Sequence, residues 1–433
     1  MGIWARAWVF LVLGYGLFGR SFAYLGIPAL KLFVGEAVLG AFLLTQARRV
    51  LGIWAAWLLR GGREGFLGWS LLAFLSYGAF QIIYGLLRGH DPLLILQNFV
   101  FNLYPLYLFL GFTLAKRYPL LLRRTLGWFA WLNAIYGISY LFLLNRLGLY
   151  LPWAPEVPLF GQPASSVVAI LALLTLERMS LRQGVLLFLN LVVLLGVQVR
   201  GEWLALGVGL LLWALLMRRV GRLALAGLVA FLLFSILYVG DVRVPAPEGR
   251  GGELSVRGVV ARILAPLNPE AAAELIGEEA YSMAGTIQGW RIPWWAAIWE
   301  EVHRQDASAF VGLGYGFPLW SLYYAIPEGI RTPHNVFFYA LGYGGWVGVA
   351  VFFSFLAGLG ALLWRNFRQT GSPFPALSFI LWAALSSSAF FGNFFETPFG
   401  AIPFYLLTGY GLAFSQGKDA HPQAPHPLPA TGR

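Results

Sequence analysis

Residues 183–240 read QGVLLFLNLVVLLGVQVRGEWLALGVGLLLWALLMRRVGRLALAGLVAFLLFSILYVG. Three apolar runs follow one another, near 183–199, 202–217 and 221–240, and short polar breaks at Gln198-Val199-Arg200-Gly201-Glu202 and at Arg218-Arg219 separate them. A bilayer is crossed by about 20 apolar residues in helical form. Lipid offers no partner for backbone polar groups, so such runs must satisfy their hydrogen bonds internally, as helices. The rest of the chain supports this reading. It is 59% hydrophobic and only 11% charged, with a mean hydropathy of +0.69, against roughly 25% charge in an ordinary soluble domain. The short alternating segments of an outer-membrane barrel are missing from the sequence.

Further spans are predicted near 5–24, 27–46, 66–87, 93–114, 126–144, 163–178, 335–363, 376–391 and 400–414. The expected fold is therefore all-α and polytopic, with twelve transmembrane helices. Residues 50–59, apolar and Trp-bearing but too short to span, read as an interfacial segment. The N-terminus carries Arg6, an apolar run and Ser21-Phe22-Ala23, a weak cleavage-like pattern; Arg20 sits badly for cleavage, so a retained first helix is expected. With the N-terminus inside, the inside segments carry eighteen Arg and Lys and the short outside loops only four: Arg20, Arg88, Arg146 and Arg200. This is a positive-inside distribution, and it accounts for the net charge of +11 without nucleic acid. The absence of cysteine excludes disulfides and thiolate chemistry.

Four parts follow: helices 1–9 in 1–239, an outer loop domain in 240–333, helices 10–12 in 334–415 and a Pro-rich, disordered inner tail in 416–433. The outer loop should hold a Gly/Pro/Arg-rich part from 244 to 252 and a short helix after Asn268-Pro269. An amphipathic helix near 293–305 should follow, with Trp294, Trp295, Ile298, Trp299 and Val302 on one face. No internal repeat is present.

Three polar residues stand at the outer ends of spans. Arg200 lies in a hairpin with almost no loop, where an ionisable group is costly unless it is paired or lines a wet cavity; contact with Glu202, or snorkelling to the headgroups, is the plainer account. Arg291, in Gly289-Trp290-Arg291-Ile292-Pro293, precedes the Trp-rich helix; as a lone loop arginine it would be solvated, and so would Arg304 and Arg331. His334, in Thr332-Pro333-His334-Asn335, alone among five histidines opens a membrane helix. Pro333 restricts the residue before it to extended geometry, which predicts Thr332 in the loop and His334 in the first turn of the tenth span. There it is either a terminal polar residue bonded to backbone or a base working near neutral pH. Gly312-Leu313-Gly314-Tyr315-Gly316 is a glycine-rich turn with no preceding strand, so a nucleotide-binding reading is weak. No metal-ligand spacing is found, and no cofactor or metal is expected.

At these positions the chain resembles the O-antigen ligase and O-antigen polymerase family of bacterial envelope glycosyltransferases. Gly161-Gln162-Pro163-Ala164 opens the sixth span as a comparable segment does there. Val199-Arg200-Gly201-Glu202-Trp203 is similar to the family's Ser-Arg-Gly stretch, with Val199 in place of serine. Arg291 before the Trp-rich helix follows, then Pro333-His334-Asn335-Val336-Phe337 and Gly342-Tyr343-Gly344-Gly345. The resemblance spans roughly residues 160–350. It implies a multi-pass protein of the bacterial inner membrane with a periplasmic active site; the charge count puts both termini in the cytoplasm, and a monomer is expected. It also implies transfer of a glycan from an undecaprenyl-diphosphate carrier to a hydroxyl on a glycan, lipid or protein acceptor. Arg200 and Arg291 would bind the donor pyrophosphate and His334 would be the general base, with Glu202, Gln162 and Arg331 as lesser candidates. Ligase is the first reading; polymerase and protein O-oligosaccharyltransferase are alternatives. A polysaccharide or lipid transporter or flippase is the rival from another class, although the long outer loop and the lack of an inverted repeat speak against it.

Overall fold

The computed structural model describes residues 1–28, 32–163, 165–245, 253–265, 267–278, 286–327 and 329–414. Ala164, most of the Gly/Pro/Arg-rich part and the tail expected to be disordered lie outside the described residues.

The described residues are mostly helical. In order, the first half holds α1 (Ile3–Phe18), α2 (Arg20–Ala23), α3 (Val34–Leu59), α4 (Gly62–Leu87), α5 (Pro92–Leu103), α6 (Tyr107–Arg117), α7 (Leu121–Phe142), α8 (Ser166–Leu176), α9 (Leu181–Val197), α10 (Arg200–Leu216) and α11 (Val220–Val239). The segment that follows holds α12 (Val256–Leu264), α13 (Pro269–Ile276), α14 (Ile292–His303) and α15 (Asp306–Val311). The last three helices are α16 (Val336–Thr370), α17 (Pro373–Ser388) and α18 (Pro398–Leu412). Among the described residues, sheet is confined to three two-stranded antiparallel ribbons: Gly26–Ile27 with Leu32–Phe33, Tyr150–Leu151 with Ala154–Pro158, and Arg243–Pro245 with Glu253–Ser255.

Several helix ends follow from local chemistry. Asp91 accepts from the backbone N–H of Leu93 and Leu94 at 2.7 and 3.2 Å, with Pro92 in the first turn. Asn268 accepts from Ala271 N–H at 3.0 Å ahead of Pro269, giving the short helix predicted there. Both combine a polar cap with a proline that needs no donor.

The structure refines the reading of several helices. Residues 50–59 are not separate; they continue α3 across a kink at Gln46, because nothing between 46 and 50 breaks a helix. The expected span 93–114 falls within Pro92–Arg117, long and apolar enough to cross a membrane, and is interrupted by a 3₁₀ turn at Tyr104–Leu106, where Pro105 lacks a backbone donor.

Four helical stretches among the described residues are long and apolar enough to cross a membrane: Gly62–Leu87, Pro92–Arg117, Val220–Val239 and Val336–Thr370. Shorter apolar helices are Ile3–Phe18, Ser166–Leu176, Leu181–Val197 and Pro373–Ser388. Large apolar side chains cover the outside, among them Phe188 at 63% exposure and Phe231 and Ile236 at 67%. Soluble monomers rarely carry so much contiguous apolar surface.

Between helices, small residues permit close packing, as is common within membranes. A Cβ on Gly111 of α6 would lie 2.3 Å from the Leu406 carbonyl oxygen, and one on Gly409 of α18 would lie 2.3 Å from that of Leu108. These two helices therefore touch backbone to backbone. A buried polar tie adds to this: Asn133 of α7 donates to Ser166 Oγ at 3.0 Å and to Asn190 Oδ1 at 2.8 Å, joining α7, α8 and α9. Such interhelical bonds contribute about 0.6 kcal/mol each on average.

The segment between α11 and α16 is fastened to the first half of α16. Gly345 has φ +57°, ψ −162° and interrupts the helix. The break frees the carbonyls of Gly342 and Tyr343, which accept from Leu313 and Gly314 N–H at 2.8 and 3.2 Å. A Cβ on Gly345 would come within 2.4 Å of the Phe310 carbonyl oxygen. The glycine-rich turn at 312–316 is thus a docking element. On α14, Trp294, Ile298 and Val302 are fully buried. Trp299, placed on that face from the sequence, is 43% exposed and stacks on His303, because the buried stripe follows a strict four-residue spacing.

Candidate functional site

Arg200 is the first residue of α10. The turn before it is only Gln198-Val199, and Gln198 takes the left-handed conformation at φ +60°. This reversal sets the guanidinium at the end of the hairpin, where Nη1 donates to the Arg262 carbonyl of α12 at 3.3 Å.

Arg291 closes a π-helical turn at Thr286–Arg291, immediately before α14. Its Nη1 donates to the Phe391 carbonyl at 3.1 Å, and its guanidinium lies over the Trp290 ring at 5.1 Å. Among the described residues, no carboxylate forms a salt bridge with it, and its Nε is buried without a hydrogen-bond partner. Burial first, and then the positive charge of Arg200, pull its pKa down to about 10. It remains a cation at neutral pH, held in a place that disfavours cations.

His334 does not lie in the first turn of its helix. It stands one residue before the cap, in the left-handed region at φ +53°. The cap is Asn335, whose Oδ1 accepts from Phe337 and Phe338 N–H at 2.9 and 3.3 Å. With Asn335 available for that purpose, the backbone turns sharply at His334. The imidazole meets the Trp290 ring edge-on at 5.7 Å. Asn393 Nδ2 lies 3.3 Å from His334 Nε2, while Asn393 Oδ1 accepts from Thr332 Oγ1 at 2.6 Å. Burial first, and then the Arg291 charge, lower the histidine's pKa to about 3. The ring is neutral across the physiological range.

Arg200, Arg291 and His334, separated by 91 and 43 positions in sequence, are thus brought together. Arg200 acts electrostatically on Arg291, and Arg291 on His334. The arrangement can hold an anion between two guanidiniums and present a neutral imidazole beside it.

Glu202 is in the first turn of α10. Gln162 lies in the segment that packs against the end of α1, where a Cβ on Gly161 would meet the Phe18 carbonyl oxygen and one on Gly19 the Gln162 carbonyl oxygen. Arg331 is exposed and lies over Trp320 at 5.8 Å. Arg304 pairs with Glu301 at 3.0 Å, the ordinary surface arrangement. Among the described residues, no group of three His, Asp or Glu side chains gathers in a way that could hold a metal ion.

The sequence reading missed the segment between α17 and α18, which supplies Phe391 and Asn393. The same segment carries Glu396, 8% exposed, whose carboxyl accepts from Phe394 N–H at 3.2 Å. Burial raises its pKa to about 7. The signal was present: Gly392-Asn393-Phe394-Phe395-Glu396-Thr397 is a polar interruption between two apolar runs, on the face expected to carry Arg200 and His334.

The fold is mainly helical, with four helical stretches among the described residues long and apolar enough to cross a membrane. No protein-family model matches it, and neither does any curated protein.

Proposed function

We propose that the chain is a membrane glycosyltransferase that moves a glycan from undecaprenyl diphosphate to an acceptor hydroxyl. The reading includes twelve spans, cytoplasmic termini and a periplasmic site. One observation carries it: a neutral histidine stands beside two arginines, one of which is half-buried without a carboxylate partner among the described residues. A diphosphate is the kind of ligand that such a pair would neutralise, since planar guanidiniums bind phosphate oxygens bidentately and keep their charge.

In this reading the donor diphosphate lies between Arg200 and Arg291. The acceptor hydroxyl approaches the anomeric carbon and gives its proton to the imidazole of His334. The new bond joins the anomeric carbon to the acceptor oxygen. The old bond, from that carbon to the diphosphate oxygen, breaks with its electron pair on the oxygen. The two guanidiniums are in place before charge develops there, which is where preorganised electrostatics lowers a barrier. Asn393 donates to Nε2, so the free imidazole carries its proton on Nδ1, and the lone pair able to accept is on Nε2. The acceptor hydroxyl therefore takes the place of a 3.3 Å amide contact.

The deciding experiment incubates purified protein with carrier-linked glycan and a hydroxyl acceptor. A new glycosidic linkage is the expected result. Movement of the lipid across vesicles with no new bond would mean a transporter and would sink the proposal. Within the reading, surface glycans of a deletion strain separate the alternatives: a ligase mutant accumulates carrier-linked polymer, and a polymerase mutant leaves single repeats attached.

A further inference from the structure

We propose that the cavity between α7, α8 and α9 binds the phosphate head group of an anionic membrane phospholipid. The cavity is open to the surface, has a volume of about 410 Å³ and is lined by Arg123, Arg124, Trp128, Trp131, Glu177 and Arg182, among others. It lies at the ends of α8 and α9 opposite Arg200. Leu181–Val197 has 17 residues, so at 1.5 Å per residue about 25 Å separates the two sites. The proposal stands independently of glycosyl transfer.

The charges in the cavity do not balance. Glu177 is already engaged by Arg123 through two contacts, of 2.9 and 3.1 Å. Arg124 and Arg182 have no carboxylate partner among the described residues. Arg182 is held over the Trp131 ring at 5.0 Å, which fixes its guanidinium at the cavity wall. Two uncompensated cations on a shared concave surface suit one phosphodiester, whose oxygens accept from both.

The surroundings favour a lipid over a free phosphate. The wall includes Leu173 and Leu186, 3% and 2% exposed. The rim carries Trp128 at 69% exposure and Leu120 at 51%. Exposed tryptophan beside arginine at the end of an apolar helix is the composition of a membrane–water boundary. Acyl chains would run along the outer faces of α7 and α9, past exposed Ile135 and Phe188. Basic pockets between helices on the cytoplasmic side are suited to anionic head groups.

The test is native mass spectrometry of the full chain in detergent, after delipidation and titration with phosphatidylglycerol, phosphatidylethanolamine or glycerol 1-phosphate. Phosphatidylglycerol should bind on the order of tenfold more tightly than phosphatidylethanolamine, given about 1 kcal/mol for each basic residue near the lipid phosphate. The double variant Arg124→Gln/Arg182→Gln should lose on the order of tenfold or more in affinity, while Arg222→Gln, on another helix, should lose none. Trp128→Ala, at an exposed rim position that leaves the core intact, should weaken phosphatidylglycerol several-fold. Equal affinity for the two lipids in the wild-type protein would overturn the proposal, and that comparison needs no variant to fold. Full competition by glycerol 1-phosphate would mean a soluble phosphate site instead. Unchanged affinity in a folded double variant would also sink it.

Discussion

Asn393 Nδ2 donates to His334 Nε2 across 3.3 Å, tying the segment between α17 and α18 to the residue that precedes α16. The amide donor favours the tautomer with its proton on Nδ1, and burial, with the Arg291 charge, keeps a second proton away. In the folded state the histidine's pKa is about 3, against about 6.5 in an unfolded chain. The depressed value means that His334 stays in its basic form as pH falls through 6.5, and its contribution to stability is lost progressively between about pH 6.5 and pH 3. Imidazole NMR of the donor-free protein should show no titration of His334 between pH 8 and 5, and kcat/KM for transfer should show no His334-dependent acid limb in that window. Replacing Asn393 by Asp places an anion on Nε2 and should raise the pKa; an unchanged titration would remove Asn393 from this role.

The position of His334 separates catalysis from capping. Asn335 already caps α16, and asparagine tolerates positive φ better than most residues. His334→Asn should therefore fold with a melting temperature within a few degrees of wild type. It should lose transfer on the order of 10²–10⁴-fold, the usual range for removing a general base. Wild-type turnover in His334→Asn would mean that the imidazole has no chemical part.

Arg291 should show opposite effects on function and on stability. Holding a cation beside another cation, mostly out of water, costs stability, so Arg291→Met should melt no lower than the native protein. The same change should abolish transfer, and Arg291→Lys should restore little, because an ammonium does not reproduce the guanidinium fork. Arg200→Lys should be equally poor. Calorimetry and product assays on the same preparations check both directions, and near-normal turnover in either lysine variant would contradict the clamp.

Orientation can be tested cleanly because the chain has no native cysteine. Cysteine introduced at Ser255, the cap of α12, should react with an impermeant thiol reagent in intact spheroplasts. Cysteine at Thr370, the last residue of α16, should react only after lysis. The reverse pattern would invert the topology.

The helical architecture was legible because hydropathy and proline caps act locally. The runs around 183–240, and the caps at Asp91 and Asn268, depend on neighbours a few residues away. Arg200, Arg291 and His334 could be singled out for a similar reason: each interrupts an apolar pattern or stands at its edge. Other features needed the tertiary structure, because their causes lie far away in sequence. Nothing near Arg291 indicates that its partner is the Phe391 carbonyl, 100 residues on. Nothing near His334 indicates that Asn393 will meet its Nε2, or that burial and Arg291 will hold the ring neutral. The glycines at 312–316 suggest a turn, but only the break at Gly345 shows which carbonyls that turn satisfies. The local sequence determined the helices and some of their ends; long-range packing decided which polar groups share a site and what charge each can carry.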